Sequence, residues 1–112
     1  MTDEQRDKLR RAIALPGYTL SDGMLLYRGR ASKWRCFSAG DGPAKYTPDP
    51  DDPATAGCLL ALLGAIEAGA DPCGSGRWSV SPDGERYCSG PSLGWACIEA
   101  ALALGRWPGG EG

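Results

Sequence analysis

The sequence contains no histidine in its 112 residues. The residue that most often serves acid–base and metal chemistry at neutral pH is therefore missing, and carboxylates and thiols are the next groups to weigh. Also missing is any apolar run near the ~18–20 residues that a membrane-spanning helix needs. The opening residues, Thr2 to Lys8, are charged and lack the apolar segment of a secretory signal, so the expected location is a cytoplasm and no membrane is expected among the partners. No two cysteines stand in Cys-x-x-Cys spacing, which together with the missing histidine leaves no zinc pattern. Gly74-Ser75-Gly76 is not followed by a lysine or a helix start, so it is not a phosphate loop.

What is present describes one domain of ordinary size. Apolar residues make up 42% and charged residues 23%, within the range of globular chains rather than disordered ones. The 17 glycines and 9 prolines cluster in residues 38–53, 69–76 and 108–112, which marks long loops and a loose tail. Five cysteines are an odd number, and without a secretion signal they are expected to be free thiols, several of them buried as small apolar side chains.

Thr2 with Gln5 forms a capping-box pattern, and Leu9, Ala12 and Ile13 share a helical face, predicting a helix over Asp3–Ala14 stopped by Pro16-Gly17. Tyr18–Leu20, Met24–Arg28 and Lys33–Phe37 read as strands, the first two separated by the turn Ser21-Asp22-Gly23. Residues 38–52 form a Pro/Gly/Asp-rich connection carrying Tyr46, a length that suits either a binding loop or a boundary between units. Asp52 is placed as N-cap and Pro53 as first helical residue of an apolar helix running to Ala68 and closed by Gly69. A hairpin follows, Arg77–Ser81 and Arg86–Cys88, turning at Pro82-Asp83-Gly84 with Gly84 supplying the positive φ. Ser92 opens a last helix, Leu93–Leu104, which ends at Gly105; residues 106–112 are expected to fray, with Trp107 folded back on the core.

The fold class expected is α+β: an antiparallel sheet of four to five strands with two or three helices, and a helix–hairpin–helix unit over residues 53–105. Both later helices are rich in Gly and Ala, with Glu67 and Glu99 as their charges, so they should be buried around much of their circumference. Any surplus apolar surface on them would drive self-association.

Candidate chemistry is sparse. Asp49, Asp51 and Asp52 are the densest carboxylates; they suit a hard-cation loop, or a solvated loop ending in a helix cap, and the second is the simpler account. No cysteine has a sequence neighbour that would lower its pKa, so no activated nucleophile is indicated. No catalytic, cofactor or metal residues are assigned, and the chain is expected not to be an enzyme.

Charge is unevenly distributed. Residues 1–36 carry eight Lys/Arg against four Asp/Glu, and residues 37–112 carry four against ten. In the basic part Tyr27, Arg28, Arg30, Lys33, Trp34 and Arg35 set cations beside aromatics. With Tyr46 of the long connection, these are the candidate partner-binding residues, because exposed aromatics with arginine anchor interfaces and can stack bases along a phosphate backbone. The plainer account is a hairpin whose outer face is solvated by Lys and Arg. A whole-chain net charge of −2 is far too sparse for a DNA mimic, since duplex DNA carries one charge per ~1.7 Å.

Asp52-Pro53-Ala54-Thr55-Ala56-Gly57-Cys58-Leu59-Leu60-Ala61-Leu62-Leu63, the Trp78-Ser79-Val80 strand and Ser89-Gly90-Pro91-Ser92-Leu93 together resemble the α–β–α sandwich domains of small tailed-phage and prophage proteins. The resemblance covers residues 52–104. It implies an accessory protein acting in a bacterial host cytoplasm and brings no catalytic or cofactor residues with it. By class-level analogy it implies a non-enzymatic inhibitor that binds a host bacterial protein or ribonucleoprotein complex, most concretely in an anti-defence, anti-CRISPR-like role. The alternatives are a small nucleotide- or nucleic-acid-sequestering module and a virion assembly protein, with a homo-oligomer formed through the small-residue helices.

Overall fold

The computed structural model describes residues 2–28, 32–35 and 47–110, with Arg28 and residues 32–35 placed by their backbone register. The element order is α1 (Asp3–Ile13), β1 (Leu25–Arg28), β2 (Ser32–Arg35), β3 (Thr47–Pro48), α2 (Pro53–Leu63), β4 (Glu67–Ala70), β5 (Trp78–Ser81), β6 (Cys88–Gly90) and α3 (Leu93–Leu104), followed by a 3-10 turn at Pro108–Gly110. The class is α+β, as expected, with three α-helices among the described residues.

Instead of one sheet of four or five strands, the described residues form two small antiparallel sheets, β2-β1-β3 and β4-β5-β6. Tyr18–Leu20 forms no strand. Its two-residue alternation is nevertheless real: Tyr18 and Leu20 are buried and Thr19 is exposed. The alternation records an extended chain laid on the core rather than ladder pairing, and hydrophobic periodicity responds to burial alone.

Helix starts follow their local chemistry closely. The Thr2 hydroxyl accepts from the Gln5 amide at 3.1 Å while the Gln5 side chain accepts from the Thr2 amide at 3.0 Å, closing the capping box. Helix α1 buries Leu9 and Ala12 and leaves most of its charged residues outside, including an Asp7–Arg11 pair at 3.1 Å. Asp52 caps α2 by accepting from the Thr55 amide at 3.0 Å, with Pro53 in the first turn. Ser92 caps α3, and α3 ends at Gly105.

Helix α2 stops at Leu63, five residues before the expected Ala68. Gly64 adopts a left-handed conformation (φ 68°, ψ 32°), and its N–H closes on the Leu60 and Ala61 carbonyls, both at 3.1 Å. A residue with a Cβ is strained in that conformation, so a glycine inside a run of helix formers becomes a stop. The chain then reverses, and Glu67–Ala70 becomes β4, pairing antiparallel with β5 in the register Glu67–Ser81 to Ala70–Trp78. Between α2 and α3 lies a three-stranded meander, not the two-stranded hairpin expected from the sequence. The loop from β5 to β6 does turn at Gly84 (φ 81°). It is organised by Asp83, whose carboxylate accepts from the Glu85 and Arg86 amides at 2.9 and 2.8 Å.

Helix α3 is the centre of the molecule, packing against α1, α2, β5 and β6. Two glycines permit close approaches around it, Gly94 to the turn after β3 and Gly90 from β6. A Cβ on Gly94 would overlap the Pro50 carbonyl, and one on Gly90 would lie 2.7 Å from the Ala96 nitrogen. The tail, expected to fray, is instead built in as far as Gly110. Trp107 is wholly buried, donates its indole N–H to the Ala12 carbonyl at 2.8 Å, and packs against Tyr18 with ring centroids 6.0 Å apart. An indole satisfied in this way contributes its full apolar area to the core.

Residues 47–52, the end of the long connection, are likewise structural. Pro48 and Pro50 are fully buried, and the Asp49 amide donates to the Leu25 carbonyl at 2.8 Å.

Candidate functional site

Five of the seven residues nominated from sequence fall on β1 and β2, and among the described residues β2 is an edge strand. The register pairs Leu25 with Arg35, Leu26 with Trp34, Tyr27 with Lys33 and Arg28 with Ser32. Cross-strand partners share a face of a sheet. Tyr27, Lys33 and Arg35 therefore belong to one phase of the hairpin, with the half-buried Leu25. Arg28 and Trp34 belong to the phase of Leu26, which is fully buried. The backbone divides the nominated set: two cations and a tyrosine stand together, and Trp34 falls on the other phase. Arg30 and Tyr46 lie outside the described residues.

The acidic triplet resolves into separate duties. Asp52 caps α2 and accepts from the Thr55 hydroxyl at 2.9 Å, and that hydroxyl accepts from the Leu25 amide at 2.6 Å. Asp49 is buried and accepts from the Asp51 amide at 3.0 Å, while Asp51 is exposed. Asp49 is thus not part of a solvated loop; its carboxylate folds onto its own turn. No group of three or more acidic or thiol side chains among the described residues is arranged to hold a metal ion.

The four described cysteines are free, as expected, but of the several expected to be buried Cys97 alone among them is; Cys58 and Cys88 are half-buried and Cys73 is exposed. Burial raises the pKa of Cys58 and Cys88, and pushes that of Cys97 up to about 12. These three thiols stay protonated at neutral pH, a form that is neither a strong nucleophile nor a metal ligand.

Two surface depressions were not anticipated. One, of about 300 Å³, lies between α1 and the start of α3, beside the Lys8–Glu99 ion pair (2.7 Å) and Arg77. The Glu99 hydrogen bond and charge raise the Lys8 pKa, so the ammonium stays charged at neutral pH. The other, of about 730 Å³, runs along β4 and is flanked by Ile66 and Tyr87, the two large apolar side chains most exposed among the described residues. Tyr87 donates its hydroxyl to Glu67 across the sheet face, which raises the tyrosine pKa. At the far end of β4 the Asp71 carboxylate accepts from the Ser75 hydroxyl at 2.6 Å and the Cys73 amide at 2.9 Å, contacts that lower its pKa.

Sequence reasoning missed this edge because Glu67 and Ala68 were assigned to α2. Gly64, together with Gly69 five residues on, was the available signal that the helix had already ended. The small-residue surfaces also part company. On α3 they are consumed in the core, Ala96, Ala100 and Ala101 all being buried; on α2 Ala54, Gly57 and Ala61 face solvent. No helix among the described residues is long and apolar enough to cross a membrane. No family model matches the sequence, and the searches of curated proteins and of solved structures likewise return no match.

Proposed function

We propose that this is a non-enzymatic binding protein of a bacterial cytoplasm that docks on a host protein or ribonucleoprotein complex through the β1–β2 edge and blocks it, in its most specific form as an anti-CRISPR-like inhibitor. The observation that carries the docking surface is the register: Lys33 and Arg35 fall in one phase with Tyr27 on an edge strand. Two like charges two residues apart on a sheet rim favour an acidic partner surface, and an aromatic at the register position opposite Lys33 adds contact area. The host setting rests on the resemblance of residues 52–104 to the phage sandwich domains.

The test is a matched pair of variants in co-purification from bacterial lysate and in a plaque assay on a host with active CRISPR interference. Lys33→Ala with Arg35→Ala should lose both the captured complex and the protection while the far-ultraviolet circular dichroism is unchanged. Trp34→Ala, on the other phase, should affect stability before binding. Equal capture by wild type and the double-cation variant removes this surface from the reading.

The same cationic phase favours a second reading, a module that sequesters oligonucleotides or nucleotides. Titration at two salt concentrations separates them: a phosphate ligand should weaken steeply with salt and need no protein partner. Were the protein to self-associate through its helices, the exposed stripe of α2 would be the surface, and Ala61→Glu should return the monomer.

A further inference from the structure

A second surface, independent of the β1–β2 edge, carries a more specific inference. Strand β4 is exposed along all four of its residues and, among the described residues, is hydrogen-bonded on one side only, to β5. The Asp71 amide donates to the Arg77 carbonyl at 2.8 Å, which identifies Asp71 and Arg77 as a hydrogen-bonded pair. Antiparallel ladders alternate, so Gly69 and Glu67 also direct their backbone groups toward β5. The N–H and C=O of Ala68 and Ala70 therefore point outward, away from the sheet, and no described backbone group pairs with them.

Edges of this kind are usually blunted by an inward charge, a lysine, a proline or a covering loop. Here the outward-facing positions carry nothing larger than a methyl, and the groove of about 730 Å³ runs beside them. We propose that β4 accepts an extended segment of a partner protein as an added antiparallel strand, with lysine or arginine at two positions four residues apart.

The register dictates that spacing. Residues of an added strand opposite Ala68 and Ala70 would exchange backbone hydrogen bonds with them. The residues opposite Glu67, Gly69 and Asp71 would then share the other face, where directly opposed side chains stand about 4.5–5.5 Å apart. Glu67 and Asp71 are the charged residues of the groove, and among the described residues no lysine or arginine lines it. Charge complementarity thus calls for cations at both ends of a five-residue segment, and Gly69 leaves room for any side chain between them. A second copy fits less well: it would bring another acidic edge to this one. Four strand residues per chain also fall far short of the roughly 800 Å² per partner that a stable dimer buries.

The probe is the blocked peptide Lys-Val-Thr-Val-Lys, titrated to millimolar concentration against the full-length, isotope-labelled protein. Amide shifts should concentrate at Ala68 and Ala70, and binding should weaken at high salt. The same peptide N-methylated at both valines loses the donors that face β4, and should bind at least about tenfold more weakly. The peptide with glutamate in place of both lysines should not bind. Ala70→Pro, which removes an outward N–H that β5 does not use, should abolish the shifts. Because that variant could disturb the strand, the methylated peptide on the unaltered protein is the deciding arm. Absence of shifts with the unmodified peptide, shifts mapping elsewhere, or equal affinity for the methylated peptide each overturns the proposal. Concentration-dependent shifts at Ala68 and Ala70 without peptide would assign the edge to a second copy instead.

Discussion

The sheets β2-β1-β3 and β4-β5-β6 are alike in strand number, and a glycine permits a close approach near each, Gly94 against Pro50 after β3 and Gly90 against α3, but their margins are treated in opposite ways. In the first, β3 and the turn after it are drawn into the core. Pro48 and Pro50 are buried, the Asp49 amide pairs with the Leu25 carbonyl, and the Leu25 amide is taken by the Thr55 hydroxyl, itself held by the α2 cap. In the second, β4 is held by its ladder to β5 and by turn contacts at its ends, while all four of its residues face solvent. A short strand becomes rigid when its terminal backbone groups find side-chain partners. It stays available when they do not, and segments of low local stability are the ones recruited for binding.

Substitutions can test that contrast, beginning with the firmest junction. Gly94→Ala pushes a Cβ into the Pro50 carbonyl. The gain in helix propensity of about 1 kcal/mol should be outweighed, with a net loss of roughly 3 kcal/mol in chemical denaturation. Gly90→Ala is the matching change at the second sheet, where the nearest atoms stand at 2.7 to 3.0 Å. A smaller shift relieves that clash, so about 2 kcal/mol is expected. If Gly90→Ala proved the costlier of the two, the second sheet would be the more tightly docked and the contrast would be reversed.

Thr55→Val keeps the shape of a fully buried side chain but leaves the Leu25 amide without its acceptor. A loss of about 1–2 kcal/mol should follow, accompanied by faster hydrogen exchange in β1 and no change in β5. Exchange in the unaltered protein sharpens the comparison at the least cost. The amides of Ala68 and Ala70 should exchange fast, with those of Gly69 and Asp71 protected between and beside them. Uniform protection along β4 would mean that its outer edge is covered.

The smallest effects expected are pH-dependent. The lowered pKa of Asp71 means that its turn contributes fully above the ordinary carboxylate range and is lost only as pH falls through the depressed value. Amide shifts at Cys73 and Ser75 should follow that acidic titration. The raised pKa of Lys8 works in the other direction. Its pairing with Glu99 persists up to the ordinary lysine value and is lost as pH rises through the higher one, so α1 should loosen only in strong alkali.

Much of the secondary structure was legible because its signals act over three or four residues. Thr2 with Gln5, Asp52 with Pro53, and Ser92 and Gly105 around α3 satisfy helix ends within a single turn, and no distant contact is needed to read them. The candidate site was legible only in part. Composition showed cations and aromatics gathered over residues 27–35, but which of them share a face depends on a register fixed by pairing with another strand.

The sequence by itself determined the helix starts, the α+β class and the β5–β6 turn at Gly84, since each follows from local sterics or from the cost of exposing apolar surface. Tertiary structure alone decided that the strands divide into two sheets, that Ala65 to Ala70 leaves the helix to form a bare edge, and that the tail around Trp107 is built in as far as Gly110 instead of fraying. Those outcomes depend on contacts between residues far apart in the chain, Trp107 with Ala12 and Glu67 with Ser81 among them. The free energy of such contacts is realised only once both partners are in place, so no window of neighbouring residues encodes it.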